Sequence, residues 1–363
     1  MSNRTTGGRS ACRLLLGAVL GLALLAALAG PQAARAAPFP SDPYYAPNQW
    51  YGPVLGLPAA WSLSTGSTGV TVAILDTGVI ATAPDLAGRV LPAVAPSGVD
   101  VLDGTQLHHG TQVASVAAMG VNNGIGGAGV GNFSILPVTV TDSNGVNTSW
   151  DMAQGIRLAA SMGAKVINVS QASLEYGSLD AAAADARALG ALVFVAAGNS
   201  NARNSMAAFP NLIFVSGTDA SDQRWYDAST GKGSTWGPFV SLSAPAAGIV
   251  VADPTFASGY GLAKGTSYAA PLAAGAAALA WSINPNLTPD QVESMLFSTA
   301  IDLGDPGWDE VFGWGRLNIA GVAEAAYVSA LPEPATIVLL AVGLLAALAI
   351  RSRRRHPPVG HAP

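Results

Sequence analysis

Residues 71–76 read TVAILD, an apolar run of strand-forming residues that ends in one carboxylate, Asp76. An apolar run without polar alternation is typical of a parallel strand that helices cover on both faces. Similar runs recur along the chain and alternate with stretches of helical periodicity. The predicted strands lie near 70–75, 134–141, 165–169, 191–196 and 212–216, and the predicted helices near 110–119, 149–162, 178–189 and 289–297. This alternation predicts an α/β fold in which crossover helices cover both faces of a mostly parallel sheet.

The N-terminal segment has the three parts of a secretory signal. Three arginines come first, an apolar run follows at 14–28, and residues 34–36, Ala-Arg-Ala, form a small-residue cleavage site. A membrane anchor is the alternative, but the run is shorter than the roughly 20 apolar residues of a typical span. We therefore expect residues 1–36 to be a signal peptide that signal peptidase removes. Because Cys12 is the only cysteine, the mature chain would have no disulfide, thiolate metal site or cysteine nucleophile.

Charge disfavours several classes of ligand. The formal net charge is −5, but eight of the 17 basic residues lie in the leader and the C-terminal tail. This leaves 9 basic against 22 acidic residues, a net charge of −13, for the segment between them. Such an acidic segment argues against nucleic acid and anionic membrane surfaces as ligands. No repeat or linker divides residues 38–330, so we expect one domain, with 37–69 as its N-terminal arm and 70–330 as its main body.

Residues 265–267, Gly-Thr-Ser, lie where a glycine-rich loop enters an alanine-rich run. A serine in this place has two interpretations. It can be an ordinary helix N-cap. It can also be a nucleophile beside unpaired backbone N–H groups and the positive end of a helix dipole, which stabilise developing negative charge. Taken alone, the stretch favours the cap.

A catalytic serine needs a base, and the base usually needs an orienting acid. His356 and His361 fall in the C-terminal tail, which leaves the adjacent pair His108 and His109. His109 is placed like the first residue of a helix. Asp76 closes a buried strand, and catalytic groups in open α/β sheets gather at the carboxyl ends of strands. A buried carboxylate there needs a partner, and an imidazole N–H would supply one.

Asn199, at the end of the segment FVAAGN, is by itself only a turn residue. Together, however, Asp76, His109, Asn199 and Ser267 follow the acid, histidine, serine order of subtilisin, which differs from the orders in chymotrypsin and the α/β-hydrolases. The chain resembles the subtilisin-like serine proteases, or subtilases (peptidase S8 family). The matching segments are VAILDTGV, HGTQVAS, VINVS, AAGN and GTSYAAP, which begin at residues 72, 109, 166, 196 and 265.

The resemblance implies a three-layer α/β/α subtilisin-like fold and a secreted endopeptidase that works through an acyl-enzyme. Ser267 would attack the scissile carbonyl, and His109 would act as general base and then as general acid. Asp76 would orient His109, and Asn199 would donate to the oxyanion. The chemistry requires no cofactor, and the expected partners are protein or peptide substrates. The implied substrate-binding positions are Ser170, Gln171, Ala172, Ala197 and Gly198.

Three segments depart from the usual subtilase pattern, which reads HGTH, SLG and GTSMA. This chain has Gln112 and Tyr268 where the pattern has histidine and methionine, and residues 170–172 read Ser-Gln-Ala. The change at 170–172 lies beside the expected specificity pocket, so no substrate preference is transferred. None of the departures removes a catalytic group.

The loop VNNGIGGAG at 121–129 resembles the subtilase calcium loop. The resemblance implies a structural Ca²⁺ held by hard oxygen ligands. The alternative is a glycine-rich loop ordered only by its own turns. The implied ligands are the carboxylates of Asp85 and Asp42, the side-chain oxygen of Asn123, and the carbonyls of Val121, Ile125 and Gly127.

Residues 331–355 read LPEPATIVLLAVGLLAALAIRSRRR. The apolar run 335–350 would span about 24 Å as a helix, short of the ~30 Å hydrocarbon core. A single-pass anchor with cytoplasmic arginines is one interpretation. The Pro-Glu-Pro sequence at 332–334, the apolar run and the basic end resemble the PEP-CTERM sorting signals of Gram-negative bacteria, which exosortases process. This resemblance implies transient membrane association through the C-terminal helix, cleavage near Pro334, and an extracellular or matrix-associated domain; residues 356–363 are a tail.

Two other functions fit parts of the pattern. A catalytically idle subtilase domain would serve as a surface binding component, but it would not need Asn199 as well as the triad. A lipase or esterase would carry its nucleophile in a GxSxG turn, whereas Ser267 lies in GTSYA and the acid precedes the serine. We therefore predict a secreted subtilisin-like serine endopeptidase.

Overall fold

The computed structural model describes residues 40–171 and 175–332. The strands within them are β1 (Thr71–Asp76), β2 (Ser134–Thr139), β3 (Val166–Val169), β4 (Leu192–Ala196), β5 (Leu212–Thr218), β6 (Tyr226–Asp227), β7 (Lys232–Gly233), β8 (Leu242–Pro245), β9 (Ile249–Ala252) and β10 (Tyr260–Ala263). The helices are α1 (Tyr45–Asn48), α2 (Tyr51–Val54), α3 (Leu57–Trp61), α4 (His109–Ala118), α5 (Ser149–Ser161), α6 (Tyr176–Ala188), α7 (Thr266–Ile283), α8 (Pro289–Ser298) and α9 (Ile319–Ala330).

Six of these strands form one parallel sheet in the order β2-β1-β3-β4-β5-β8. The predicted mostly parallel sheet is therefore confirmed. β1 pairs with β3 so that Val72 lies opposite Val166 and Leu75 opposite Val169. Because parallel strands end at a common edge, the residues that follow β1, β3 and β4 meet there.

Two apolar cores cover the two faces of the sheet. Alternate residues of β1 divide between them, with Val72 and Ile74 in one core and Leu75 in the other. The first core includes side chains of α4, α7 and α9, and the second those of α5 and α6. This arrangement is the predicted three-layer architecture, and it explains why the strands read as continuous apolar runs.

Helix α7 is the central helix of the first core, and 15 of its 18 residues are buried. Small side chains let it pack closely: a Cβ at Gly275 would lie 2.6 Å from the Cβ of Val130. The helix is about 27 Å long and begins at the carboxyl edge of the sheet. At its other end Asn284 donates a 3.0 Å hydrogen bond to Ser329, in the last turn of α9. The chain therefore leaves α9 at the opposite end of the domain from Ser267.

Most element boundaries agree with the sequence predictions to within two residues. The helix predicted at 289–297 is α8, with the predicted capping box between Thr288 and Gln291. One prediction was wrong: Ser267 is the second residue of α7 and not its N-cap, which is Gly265 with φ of 134°. Strands β6 to β10 and helices α1, α2 and α9 were not predicted. No helix within the described part of the chain is long and apolar enough to cross a membrane, and the sorting helix predicted at 335–350 lies outside that part, as does the signal peptide.

Candidate active site

Four predicted residues meet at the carboxyl edge of the sheet. Asp76 is the last residue of β1, His109 the first of α4, and Ser267 the second of α7, while Asn199 follows β4. An open cleft of ≈ 380 Å³ lies at this edge. The residues that line it include His109, Ser170, Gln171, Gly198, Asn199, Thr266 and Ser267.

The carboxylate of Asp76 faces the imidazole of His109. His109 Nδ1 lies 2.9 Å from both Asp76 Oδ1 and Oδ2. Since a carboxylate only accepts hydrogen bonds, Nδ1 carries the proton, and Nε2 is left as the free basic nitrogen. The Asp76 side chain is fully buried, whereas 32% of the His109 side chain is exposed to the cleft. Burial lowers the pKa of His109, but the charge of Asp76 and its hydrogen bond more than offset burial, so the net pKa is raised above 6.5.

Thr77 and Gly110 fix where α4 begins. The Thr77 hydroxyl accepts the N–H of Gly110 at 3.0 Å and donates to the carbonyl of Leu107 at 3.1 Å. A side chain at residue 110 would place Cβ only 2.2 Å from the carbonyl oxygen of Gly78. Glycine therefore allows the helix terminus to approach the loop after β1, and this contact brings His109 to Asp76.

The Ser267 hydroxyl is anchored to the segment after β3. Its Oγ donates to the carbonyl of Ser170 at 3.3 Å, and the Ser170 hydroxyl donates to the carbonyl of Ser267 at 2.8 Å. Among the described residues, Ser267 Oγ makes no hydrogen bond with His109. Catalytic hydrogen bonds are often long or poorly aligned before substrate binds, so this geometry is compatible with a nucleophile and its base.

Thr266 fixes the orientation of the Asn199 amide. Asn199 Oδ1 accepts the backbone N–H of Thr266 at 2.9 Å and its hydroxyl at 3.0 Å. The N–H is only a donor, so the atom facing it must be the amide oxygen. The Thr266 Oγ1 also accepts the N–H of Gly198 at 3.1 Å. Asn199 Nδ2 is therefore left available to a ligand in the cleft.

The predicted substrate-binding residues divide into three groups. Ser170, Gln171 and Gly198 line the cleft. Ala197 is buried in the second core instead, and Ala172 lies outside the described residues. The sequence interpretation missed six cleft residues: Thr77, Leu107, His108, Gly145, Ala196 and Thr266. Thr266 directly precedes the candidate nucleophile Ser267 in the Gly-Thr-Ser segment, so its position was the available signal.

The loop predicted to bind calcium brings Asp42, Asp85 and Asn123 together. The Asp42 carboxylate accepts the N–H groups of residues 122, 123 and 124 at 2.8, 2.9 and 3.2 Å. Asn123 Nδ2 donates to Asp85 Oδ1 at 2.7 Å, while Asn123 Oδ1 accepts the N–H of Ile125 at 2.9 Å. The amide nitrogen of Asn123, and not the predicted oxygen ligand, therefore faces Asp85.

Other oxygens of this loop remain available to a cation. Asp85 Oδ2 is buried without a well-aligned hydrogen bond in the described structure, and Tyr260 lies beside it. Burial raises the pKa of Asp85 to about 6, and the charge of Asp42 adds to the increase. No described residue donates to the carbonyls of Val121, Ile125 or Gly127. The described residues contain no metal-binding group of three or more His, Cys, Asp or Glu, so a bound ion would depend on carbonyl oxygens, which suits Ca²⁺.

Comparisons with known proteins agree with this site. Residues 67–315 match the model of the Subtilase family (Peptidase S8), and residues 330–355 match the PEP-CTERM protein-sorting motif. Thermitase from Thermoactinomyces vulgaris is 39% identical over 250 residues, which cover 66% of this chain and 84% of that protein. Subtilisin Savinase from Lederbergia lenta is 35% identical over 273 residues, 74% of this chain and 94% of that protein.

A solved structure of a protease from Pseudoalteromonas arctica superposes with a TM-score of 0.67 at 30% identity and covers 80% of this chain and 100% of its own. Subtilases need no cofactor for catalysis. The sorting motif, together with a 31% identical extracellular serine protease of Natrialba magadii, indicates a secreted or surface location. The chain belongs to the subtilase family: it is a subtilisin-like serine protease that carries a PEP-CTERM sorting motif.

Proposed function

We propose that this protease is an endopeptidase in which Ser267 is the nucleophile, His109 the general base and acid, Asp76 the group that orients His109, and Asn199 an oxyanion donor. The observation that carries the proposal is the pair of 2.9 Å contacts between His109 Nδ1 and Asp76. These contacts fix the tautomer that leaves Nε2 free to take a proton in a cleft that Ser267 also lines.

The residues support acyl transfer in two balanced steps. Ser267 Oγ attacks the carbonyl carbon and His109 Nε2 takes its proton; collapse of the tetrahedral intermediate breaks the C–N bond while His109 returns the proton to the leaving amine. Water then attacks the ester carbon, with His109 again as base, and Ser267 leaves with the proton. The raised pKa of His109 matters here, because the charge of Asp76 stabilises the imidazolium that forms in each step.

The start of α7 supplies the oxyanion site. The backbone N–H of Ser267 lies in the first turn of the helix, where N–H groups have no intrahelical acceptor. Asn199 Nδ2 is the second donor, held by the two contacts of Thr266 with Oδ1. Both donors are in place before the reaction, so they need no reorganisation as the carbonyl oxygen becomes negative.

Substrate recognition would use the segment after β3. Ser170 and Gln171 line the cleft, and the Ser170 hydroxyl is held between Asn168, which donates to it at 2.9 Å, and the carbonyl of Ser267. An extended peptide that pairs with this backbone would gain main-chain hydrogen bonds with little demand on its sequence. An open cleft of this kind suits cleavage within a chain and not only at its ends.

We infer that the loop at 121–127 holds a structural Ca²⁺. The residues that would hold it are Asp85, Asp42 and the carbonyls of Val121, Ile125 and Gly127, with Asn123 contributing after rotation of its amide. The ion would supply charge to the buried carboxylates and order the loop, with no role in the chemical steps. The support is the buried Asp85 carboxylate, whose Oδ2 has only the Tyr260 hydroxyl beside it, together with the carbonyls of Val121, Ile125 and Gly127, to which no described residue donates.

The termini give the proposed route of export from a Gram-negative cell. Signal peptidase would remove residues 1–36, and an exosortase would recognise the PEP-CTERM motif after transient membrane association of the apolar run 335–350. Processing near Pro334 would spare the catalytic domain, because α9 ends at Ala330, at the far end of α7 from Ser267.

A mixed peptide library tests the endopeptidase activity directly. The full chain is expected to cut within peptides, and Ser267→Ala is expected to retain the fold and lose this activity. Release of terminal residues alone would contradict the endopeptidase assignment, and equal cleavage by Ser267→Ala would contradict the assignment of the nucleophile.

A further inference from the structure

Two residues that depart from the usual subtilase pattern are hydrogen bonded to each other. The Tyr268 hydroxyl donates to Gln112 Oε1 at 2.6 Å. Gln112 Nε2 in turn donates to Asp253 Oδ2 at 2.7 Å. The three side chains form a continuous chain of hydrogen bonds behind the cleft, and neither Tyr268 nor Gln112 lines the cleft itself.

These hydrogen bonds join α4, the helix that carries the proposed base, to α7, the helix that carries the proposed nucleophile. Gln112 lies one turn after His109 in α4, and Tyr268 directly follows Ser267 in α7. The rings of Tyr268 and His109 lie with centroids 6.0 Å apart. The Tyr268–Gln112 bond therefore lies three residues along the sequence from His109 and one residue from Ser267.

Asp253 fixes the direction of the two hydrogen bonds. Asp253 Oδ1 already accepts the backbone N–H of Thr255 at 2.9 Å and its hydroxyl at 2.7 Å, so Oδ2 is left for Gln112. A carboxylate accepts and does not donate, so the amide nitrogen of Gln112 must face it and the amide oxygen must face Tyr268. Burial raises the pKa of Tyr268, and the charges of Asp76 and Asp253 add to the increase, so the hydroxyl stays protonated and donates.

The Tyr268–Gln112 hydrogen bond explains why the two departures from the subtilase pattern occur together. A methionine at 268 has no donor and would leave Gln112 Oε1 without a partner. Tyr268 is 8% exposed and Asp253 is 5% exposed, and an unpaired polar atom in such surroundings is destabilising. The bulk of Tyr268 next to the nucleophile is thus accounted for by the partner that its hydroxyl reaches.

We propose that Tyr268 and Gln112 are positioning residues that hold α4 and α7 together and so set the approach of Ser267 to His109. The proposal rests on the catalytic roles proposed above. Turnover depends on the distance between Ser267 and His109, so a small displacement of either group lowers kcat. Substrate binding depends on the cleft, so it is retained. The expected signature is a loss in kcat with little change in KM.

Tyr268→Phe is the most direct test, because it removes one oxygen atom and keeps the ring. We expect kcat on a peptide substrate to fall about tenfold with KM nearly unchanged. Gln112→Met should lower kcat similarly, and the double variant should be no worse than the poorer single variant, since both changes break the same bond. If either single variant fails to fold, the other still supplies the split between kcat and KM.

Tyr51→Phe is the matched control. The Tyr51 hydroxyl accepts an amide N–H of Gln49 at 2.8 Å, so this change also removes a buried hydrogen bond between a tyrosine and a glutamine, but one that involves neither α4 nor α7. We expect this variant to lose stability and keep kcat. An active wild-type protein with unchanged kcat in Tyr268→Phe and in Gln112→Met, or with equal kcat losses in Tyr268→Phe and Tyr51→Phe, would overturn the positioning role alone. Inactive wild-type protein would contradict the proposed function as well.

Discussion

Asn199 Oδ1 accepts two hydrogen bonds from Thr266, one from the backbone N–H at 2.9 Å and one from the hydroxyl at 3.0 Å. These bonds turn the amide nitrogen toward the cleft. Thr266 therefore orients the side chain that we propose stabilises the oxyanion. In the proposed mechanism, Thr266 and Ser267 of the Gly-Thr-Ser segment would both serve the reaction.

Thr266→Val should lower kcat by removing the hydroxyl while keeping the side-chain shape and the backbone N–H. We expect a loss smaller than that of Asn199→Ala, for which the value known from subtilisin itself, about 10² to 10³ in kcat, is the borrowed scale. Steady-state kinetics on one peptide measure both. Thr141→Val is the control, since the Thr141 hydroxyl is buried with no partner in the described structure. An equal loss in the control would contradict the orienting role.

The Asp76–His109 pair predicts the pH dependence of hydrolysis. His109 must be neutral to accept a proton, and its pKa is raised above 6.5, so kcat/KM should fall as the pH drops through a value above 6.5. Asp76→Asn removes the charge and the acceptor that raise this pKa, so the acidic limb should move to lower pH while turnover falls by about 10⁴. An acidic limb that stays in place in the variant would show that His109 is not the titrating group.

Removing calcium should destabilise the protein without changing the catalytic residues. If an ion satisfies Asp85, a chelator should lower Tm by about 5 °C or more at saturating starting calcium. Asp85→Asn should reduce this response, because it removes one negative charge from the proposed site. Asp142→Asn, which changes an exposed carboxylate in another loop, is the control. A chelator response that is the same in all three proteins, or absent from the wild type, would argue against the site.

Removing residues 333–363 should leave the catalytic domain intact. Helix α9 ends at Ala330, and its last turn is fixed by the bond between Asn284 and Ser329. We therefore expect the truncated protein to match the full chain in kcat/KM on peptides. A large loss of activity in a truncated protein with an unchanged Tm would show that the sorting segment contributes to the cleft.

Much of this structure could be predicted from the sequence because two kinds of signal were strong. The buried strands read as apolar runs, which made β1 to β5 visible, and Asp76 stood out as the carboxylate that closes the first of these runs. The capping box between Thr288 and Gln291 was also predictable, because its two residues are only three positions apart. In each case the deciding interaction lies within a few residues of sequence.

Long-range contacts explain what the sequence did not reveal. Strands β9 and β10 have four residues each and are defined by pairing with one another. The pairing of Gln112 with Tyr268 joins residues 156 positions apart, so both looked like unexplained departures. The cap assigned to Ser267 was wrong because Gly265, at a φ of 134°, already occupies that position and places the serine inside the helix.

The most direct test of the account is reaction of the purified protein with a fluorophosphonate probe, followed by mapping of the labelled residue. We predict a single label on Ser267, no labelling of Ser267→Ala, and retained labelling of Ser170→Ala, whose hydroxyl bonds to the carbonyl of Ser267. A correctly folded wild-type protein that takes no label, or that is labelled at a residue other than Ser267, would contradict the assignment of the nucleophile.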